Sequence, residues 1–302
     1  FKMTGIWPNP KELVKQLHDR DIKVLLWDLP MFATASTVEN PNPEQRLLDN
    51  EYIVENKLAV LKKDGSPYII PKGNWFGGSM VPDFTNPKTV EYWFNHRQHL
   101  NEIGIDGFKT DGGEFIYEDD ALFSDGRTGA AMKNGYGDLY VKTYDENLSK
   151  DQVLFTRTGN SRVANHTITW AGDQESTWQE MNSILKAGIS AGLSGISNWG
   201  FDIAGFAGHL PSKGLYSRGI QLGALVPIMQ WHSEPITNGR LDPTGLWKNN
   251  DRSPWNLAQY HKDMKFQAEL KKQFEFHYNL IPYFYELALE ANNTGVPAIR
   301  HM

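Results

Sequence analysis

NPKTVEYWFNHRQHLNEIGIDGFKTD, residues 86–111, is the stretch that decides the fold. Asn86-Pro87 is a helix start, because an Asn side chain accepts from a free first-turn amide and Pro fits the first helical position. The helix is predicted to run through Leu100. Ile105-Asp106-Gly107-Phe108-Lys109-Thr110-Asp111 follows as a strand that closes on a carboxylate.

The same unit recurs outward in both directions. Residues 10–20 read as a helix with Pro in its first turn, and residues 22–27 as the strand after it. Residues 30–81 are long, irregular and rich in Pro, Asn and Gly. At about 50 residues they exceed a plain connection, so residues 31–81 are predicted to be an insertion contributing to an active-site mouth. Downstream, helices are predicted over 136–148, 177–191, 216–224, 256–276 and 282–291. Strands are predicted over 153–156, 167–170, 195–199 and 225–229.

Alternating strands and helices imply parallel strands joined by crossovers, in a doubly wound sheet or a barrel. A nucleotide-binding sheet would carry a glycine-rich phosphate loop, and neither GxGxxG nor GxxxxGK[ST] occurs. Polar residues instead fall just after the strands: Asp28, Asp111, Arg157, Asp173, Asp202 and His232. In a barrel those positions converge on one mouth, where catalysis sits. The recurrence favours an α/β fold of the (β/α)8 TIM-barrel type, one catalytic domain over residues 1–302.

Composition bounds the function. Across 302 residues the net charge is −6, which argues against a nucleic-acid partner. No cysteine is present, which excludes a disulfide framework, thiolate metal sites and a Cys nucleophile. No apolar run is long enough for a membrane span. The chain opens at Phe1 without a leader and stops at Met302 without a cap, so it is read as part of a longer protein. The compartment stays open, with a lean to the cytoplasm. The sequons at Asn147, Asn165 and Asn292 arise by chance at this rate and carry no weight for secretion. Ten tryptophans ask for either a large core or an aromatic pocket of the kind that stacks on sugars.

A single strand-end Asp is most often a helix cap. Several facing one mouth repel each other, and their accumulation points to chemistry. Two carboxyl groups with Arg, His and aromatic faces suit glycoside hydrolysis, which needs a nucleophile or base and a proton donor. A metal site is the rival. Neither HExxH nor a DxDxDG loop occurs, and His96 and His99 lie on the predicted 86–100 helix beside Arg97, read as a solvated face. No cofactor and no metal are expected.

Several ordered motifs together resemble glycoside hydrolase family 31, the retaining α-glucosidases and α-xylosidases. They begin with Trp7-Pro8-Asn9-Pro10, Leu17-His18 and Lys23-Val24-Leu25-Leu26-Trp27. WFGGSMVPDFTNP (75–87) is similar to the family's PDFTNP segment, GIDGFKTDGGE (104–114) to its nucleophile strand and WAGDQESTW (170–178) to its acid/base signature. NWGFDIAGF (198–206), PIMQWHS (227–233) and LIPYFYELALEANNTGVPAIRHM (280–302) complete the series. The resemblance implies that Asp111 is the nucleophile and Asp173 the general acid/base. It implies that Trp75, Arg157, Trp170, Asp202 and His232 bind the sugar at the −1 subsite. Supporting roles fall to Asp83, Lys109, Glu114 and Phe206, the last packing beside the Asp202 strand end. Trp27, Trp93 and Trp199 stay with the core.

The implied reaction is a double displacement through a covalent glycosyl-enzyme, acting from the chain end on terminal α-linked glucosyl or xylosyl residues of an oligosaccharide or glycoside. It requires an ionised Asp111 and a protonated Asp173. Alternatives are an α-glucosyltransferase using the same residues, an α-galactosidase-type specificity, and a carbohydrate-binding protein without catalysis. The nucleophile segment departs from the WxDMNEP of α-glucosidases and is closer to the KTDFGE of α-xylosidases. Its Gly112-Gly113 pair is read as opening space for a different sugar, and Gln230 stands where Arg is frequent. The resemblance also implies that the first barrel strand lies upstream of Phe1, leaving seven of eight strands here, and that β-sandwich domains flank the barrel.

Overall fold

The computed structural model describes residues 8–34, 42–160, 167–234 and 250–301. Trp7, the first residue of the family-like opening motif, and the Asn165 sequon lie outside them. The chain divides into two compact units, 1–167 and 168–302.

In the first unit, three parallel strands pair in chain order: β1 (Leu25–Asp28), β2 (Gly107–Thr110) and β3 (Val153–Thr156). Asp28 is level with Thr110, and Thr110 with Thr156, so the residues that follow leave the sheet side by side. Helices α1 (Pro10–His18), α2 (Pro43–Glu55), α3 (Pro87–Asn95), α4 (Gln98–Ile103), α5 (Gly129–Met132) and α6 (Gly135–Asn147) complete it. α1, α2 and α3 each start at Asn-Pro, with the Asn side chain accepting a first-turn N–H. That satisfies one donor the helix leaves open, and Pro removes another.

Three details differ from the sequence-based expectation. The 86–100 helix is broken between α3 and α4 at His96 and Arg97, whose guanidinium turns inward rather than to solvent. The 31–81 segment is not irregular throughout. It holds α2, and isolated antiparallel bridges join Phe32 and Ile69 to Met80 and Ala59 to Pro82. Val60, Tyr68, Ile70 and Val81 are fully buried there, giving the segment a packed base. Six strands, three per unit, rather than seven form among the described residues.

In the second unit, β4 (Ile168–Trp170), β5 (Trp199–Asp202) and β6 (Ile228–Gln230) are likewise parallel and in chain order. Helices α7 (Trp178–Leu193), α8 (Lys213–Gly223), α9 (Pro254–Tyr260) and α10 (Met264–Thr294) cover them. Its core is Trp199, Phe201, Ile203, Leu215, Tyr216, Ile220, Leu257 and Phe266. Close packing there depends on Gly188 and Gly200. A Cβ on Gly188 would stand 2.6 Å from the Trp199 ring, and one on Gly200 2.6 Å from Ile228. α10 runs through Pro282, where a break was expected.

Candidate active site

The first unit builds a carboxylate set in aromatic rings. Asp111 leaves β2 with its N–H on the Asp28 carbonyl at 2.9 Å. Its Oδ1 accepts from Arg157 Nε at 2.5 Å and from the Gly112 N–H at 2.8 Å. Its Oδ2 accepts from Trp27 Nε1 at 2.8 Å. Both oxygens therefore act as acceptors, and the side chain keeps 12% of its surface open to solvent. A carboxylate held this way is aimed and yet reachable, as a nucleophile must be.

Arg157 also donates to Glu114 through Nη2 at 2.7 Å, which makes it the bridge between the two carboxylates. Burial pulls its guanidinium toward neutrality, but Glu114 and Asp111 outweigh that and hold its pKa above the ordinary value. Arg157 lies 5.6 Å from the Trp75 ring centroid, a cation–π distance. Trp75 is 42% exposed and Trp27 52%, their centroids 6.5 Å apart, with Phe115 packed 6.0 Å from Trp75. Trp93 and Trp199 are core residues as expected, but Trp27 is not. Its indole edge faces Asp111, and the strand alternation that puts Leu26 inward puts Trp27 out.

Gly112 and Gly113 do not open space. Both have left-handed backbone, with φ of +69° and +101°. A Cβ on Gly112 would stand 2.8 Å from the Phe115 ring, and one on Gly113 2.8 Å from Thr158. The pair allows the chain to turn tightly against Phe115 and Thr158 directly after Asp111.

Asp28, counted among the mouth residues, serves the fold instead. Arg97 grips it with Nε on Oδ2 at 2.5 Å and Nη2 on Oδ1 at 2.9 Å, and Tyr144 donates to Oδ2. Burial works against the Arg97 charge, but Tyr144 and Asp28 outweigh it and raise the guanidinium pKa. Arg97 stacks 3.6 Å over Trp93. Asp83 is buried, with Thr85 donating to Oδ1 and Ser124 to Oδ2 through N–H and hydroxyl alike, which pins two loops. Lys109 lies within β2, its Nζ 5.7 Å from the Phe155 ring.

The second unit carries the other candidates. Asp173 is exposed just after β4, behind Trp170, which is 2% exposed. Asp202 ends β5 fully buried, level with Gln230, whose Nε2 donates to Oδ1 at 2.9 Å. Gln230 therefore supports Asp202. The exposed His232 ring packs 5.0 Å from Phe206, whose N–H donates to the Gln174 carbonyl at 2.8 Å. Phe206 thus packs against His232 and the Gln174 backbone. Sequence reasoning missed Trp27, for which the signal was its place directly before a strand-end Asp. It also missed Arg252, which is wholly buried and has no local signature. Among the described residues no group of three His, Asp or Glu is placed to hold a metal ion.

The model of the glycosyl hydrolases family 31 TIM-barrel domain matches residues 1–287. The chain is 37% identical to the isomaltosyltransferase of Sporosarcina globispora, over 100% of this chain and 27% of that protein. It is 36% identical to the 1,3-alpha-isomaltosidase of Kribbella flavida, over 99% of this chain and 40% of that protein. The chain thus spans less than half the length of these curated relatives. Among solved structures, the cycloalternan-degrading enzyme from Trueperella pyogenes in complex with a covalent intermediate superposes with a TM-score of 0.88 at 33% identity, covering 98% of this chain and 39% of that one.

Proposed function

We propose, for a chain that belongs to glycosyl hydrolase family 31 and carries its α/β TIM-barrel domain, a retaining activity on α-linked gluco-oligosaccharides. Asp111 attacks the anomeric carbon, and Asp173 protonates the departing oxygen. A glycosyl ester forms on Asp111, with the proton passed to the leaving alcohol. Asp173, now a carboxylate, deprotonates the incoming hydroxyl, and a second inversion restores the α configuration. Arg157 and His232 bind sugar hydroxyls, and Trp75 and Trp27 supply aromatic faces, whereas Asp202 and Trp170 are buried behind the strand ends.

The observation that carries this reading is the Asp111 carboxylate, fixed by Trp27, Gly112 and Arg157 and flanked by two half-exposed tryptophans. Three directed donors set the attack direction, and flat apolar rings match the C–H face of a pyranose. The covalent intermediate in the Trueperella pyogenes structure supports the two-step path.

The unit released is an isomaltosyl disaccharide rather than a single glucosyl or xylosyl residue. Two relatives at 36–37% identity support this, one named an isomaltosyltransferase and the other an isomaltosidase. The test is an aryl α-isomaltoside set against aryl α-glucoside, α-xyloside and α-galactoside, with the first-formed anomer followed by NMR. The isomaltoside should be cleaved with the highest kcat/KM and give the α-sugar first. Preference for any monosaccharide glycoside overturns the disaccharide reading, and a β-sugar formed first overturns retention.

A second reading, transfer to a sugar hydroxyl in place of water, is favoured by the isomaltosyltransferase match. Product analysis at high glucose concentration decides it. Transfer predicts new oligosaccharides at the expense of free isomaltose, and isomaltose alone rules it out.

A further inference from the structure

We propose that Arg252 is the positioning residue for the acid/base group: its buried guanidinium ties the segment that carries Asp173 to the loop that follows Asp202. This rests on the assignment of Asp173 as acid/base.

The two segments already touch through backbone. The Gln174 carbonyl accepts the N–H groups of Phe206 and Ala207, both at 2.8 Å, and the Ser176 N–H donates to Ala207 at 3.1 Å. Arg252 closes the arrangement from behind. Nη1 donates to the Ser176 hydroxyl and to the Gly205 carbonyl, each at 2.5 Å. Nη2 reaches the carbonyls of Ala207 at 3.1 Å, Gly208 at 3.0 Å and His209 at 3.3 Å. Nε donates to Asn250 Oδ1 at 3.1 Å, and the Arg252 carbonyl in turn accepts from Tyr216. One planar fork thus gathers acceptors from both segments.

The loop needs such a fastening. Ala204, Gly205 and Gly208 all have left-handed backbone, with φ of +59°, +98° and +78°. A Cβ on Gly205 would stand 2.8 Å from the Ser176 nitrogen, so the segments are in close contact. Left-handed Ala is strained, and strained backbone persists only where its surroundings over-determine it. A cation buried among carbonyl and hydroxyl oxygens is costly, and with no carboxylate among its direct partners in the described residues it is placed to organise those dipoles. Burial draws its pKa down to about 10, with Glu234 and Asp202 acting against that, so the guanidinium is charged at neutral pH. Lysine offers no fork and could hold one segment or the other, not both.

A proton donor matters most when the leaving group is poor, and that separates positioning from general structural support. Arg252→Lys and Asp173→Ala are to be measured on aryl glycosides with leaving groups from unactivated phenol to dinitrophenol. General acid catalysis contributes about 100- to 10,000-fold. Arg252→Lys should therefore lose roughly 100-fold in kcat/KM, which reports the first displacement alone, on the phenyl glycoside and keep dinitrophenyl kcat/KM within about threefold. Ser176→Ala, which removes a single acceptor and is the milder change, should show the same pattern at about fivefold, the size of one hydrogen bond.

Equal losses on all leaving groups in both variants overturn the proposal. If Asp173→Ala itself shows no leaving-group dependence, the assignment of Asp173 is what fails. The fastening is then judged by amide exchange. Arg252→Lys should accelerate exchange at Ser176, Phe206 and Ala207 while leaving α8 unchanged, and unaltered exchange there refutes it.

Discussion

Replacing Arg97 with Met would leave the Asp28 carboxylate with Tyr144 as its remaining side-chain donor. Removing one partner of a buried ion pair costs about 3–5 kcal/mol, because the other charge stays behind. Here the two side chains are 17% and 18% exposed, so solvent takes up part of the loss. The stacking of Arg97 over Trp93 at 3.6 Å, worth about 0.5–2 kcal/mol, is lost as well, though Met refills some of the contact. The expected destabilisation is about 3 kcal/mol. Urea unfolding followed by circular dichroism measures it. Asp28→Asn/Arg97→Met should recover roughly half, since Asn removes the stranded charge. The Asp28 carbonyl accepts the Asp111 N–H, so kcat should fall in Arg97→Met more than in the double variant. A single variant within about 0.5 kcal/mol of the parent would refute the reasoning and return Arg97 to the solvated face that its sequence neighbours suggest.

Gly112→Ala should lower both stability and kcat. The left-handed backbone and the 2.8 Å approach to Phe115 together cost roughly 2–4 kcal/mol, and thermal melting checks it. Asp106 accepts from the Val24 N–H and is paired with His18 and Lys23. Burial would raise its carboxyl, but these three partners outweigh that and hold it below the ordinary 3.8. A carboxyl lowered on folding stabilises above its unfolded pKa, and that contribution disappears as pH falls through the folded one. The stability gap between the parent and Asp106→Asn, about 1–3 kcal/mol at pH 7, should therefore close below about pH 4 in urea titrations. Trp75→Ala should raise KM about tenfold on oligosaccharides, the effect of truncating an aromatic anchor worth roughly 1.4 kcal/mol, as initial rates will show.

Much of the framework was legible in the sequence because its signals are local. Asn-Pro starts α1 and α3 as caps where helices were predicted, and 153–156 matches β3 residue for residue. Strand ends read from polar punctuation located Asp111 and Asp202. The errors have a common cause, which is that one residue type serves two ends. Asp28 ends a strand as Asp111 does, yet Arg97, 69 positions away, decides that it is structural. Trp27 is apolar like any core residue, and its exposure depends on the side of β1 from which Asp111 approaches. The 195–199 strand is displaced to Trp199–Asp202 because Gly200, which reads as a turn, is where Ile228 packs against bare backbone. Arg252 is the extreme case. Five of its acceptors lie 43–76 positions away, and four of them are main-chain carbonyls that any residue could supply.

The most direct test traps the covalent step. A fluorinated glycosyl fluoride, whose electron-poor ring slows the second displacement, should inactivate the enzyme with one sugar per chain. Digestion and mass spectrometry should then find that sugar on Asp111, within the peptide holding Thr110, Gly112 and Gly113. Label on any other carboxylate, or turnover of the inactivator by Asp111→Ala at the parent rate, would contradict the account.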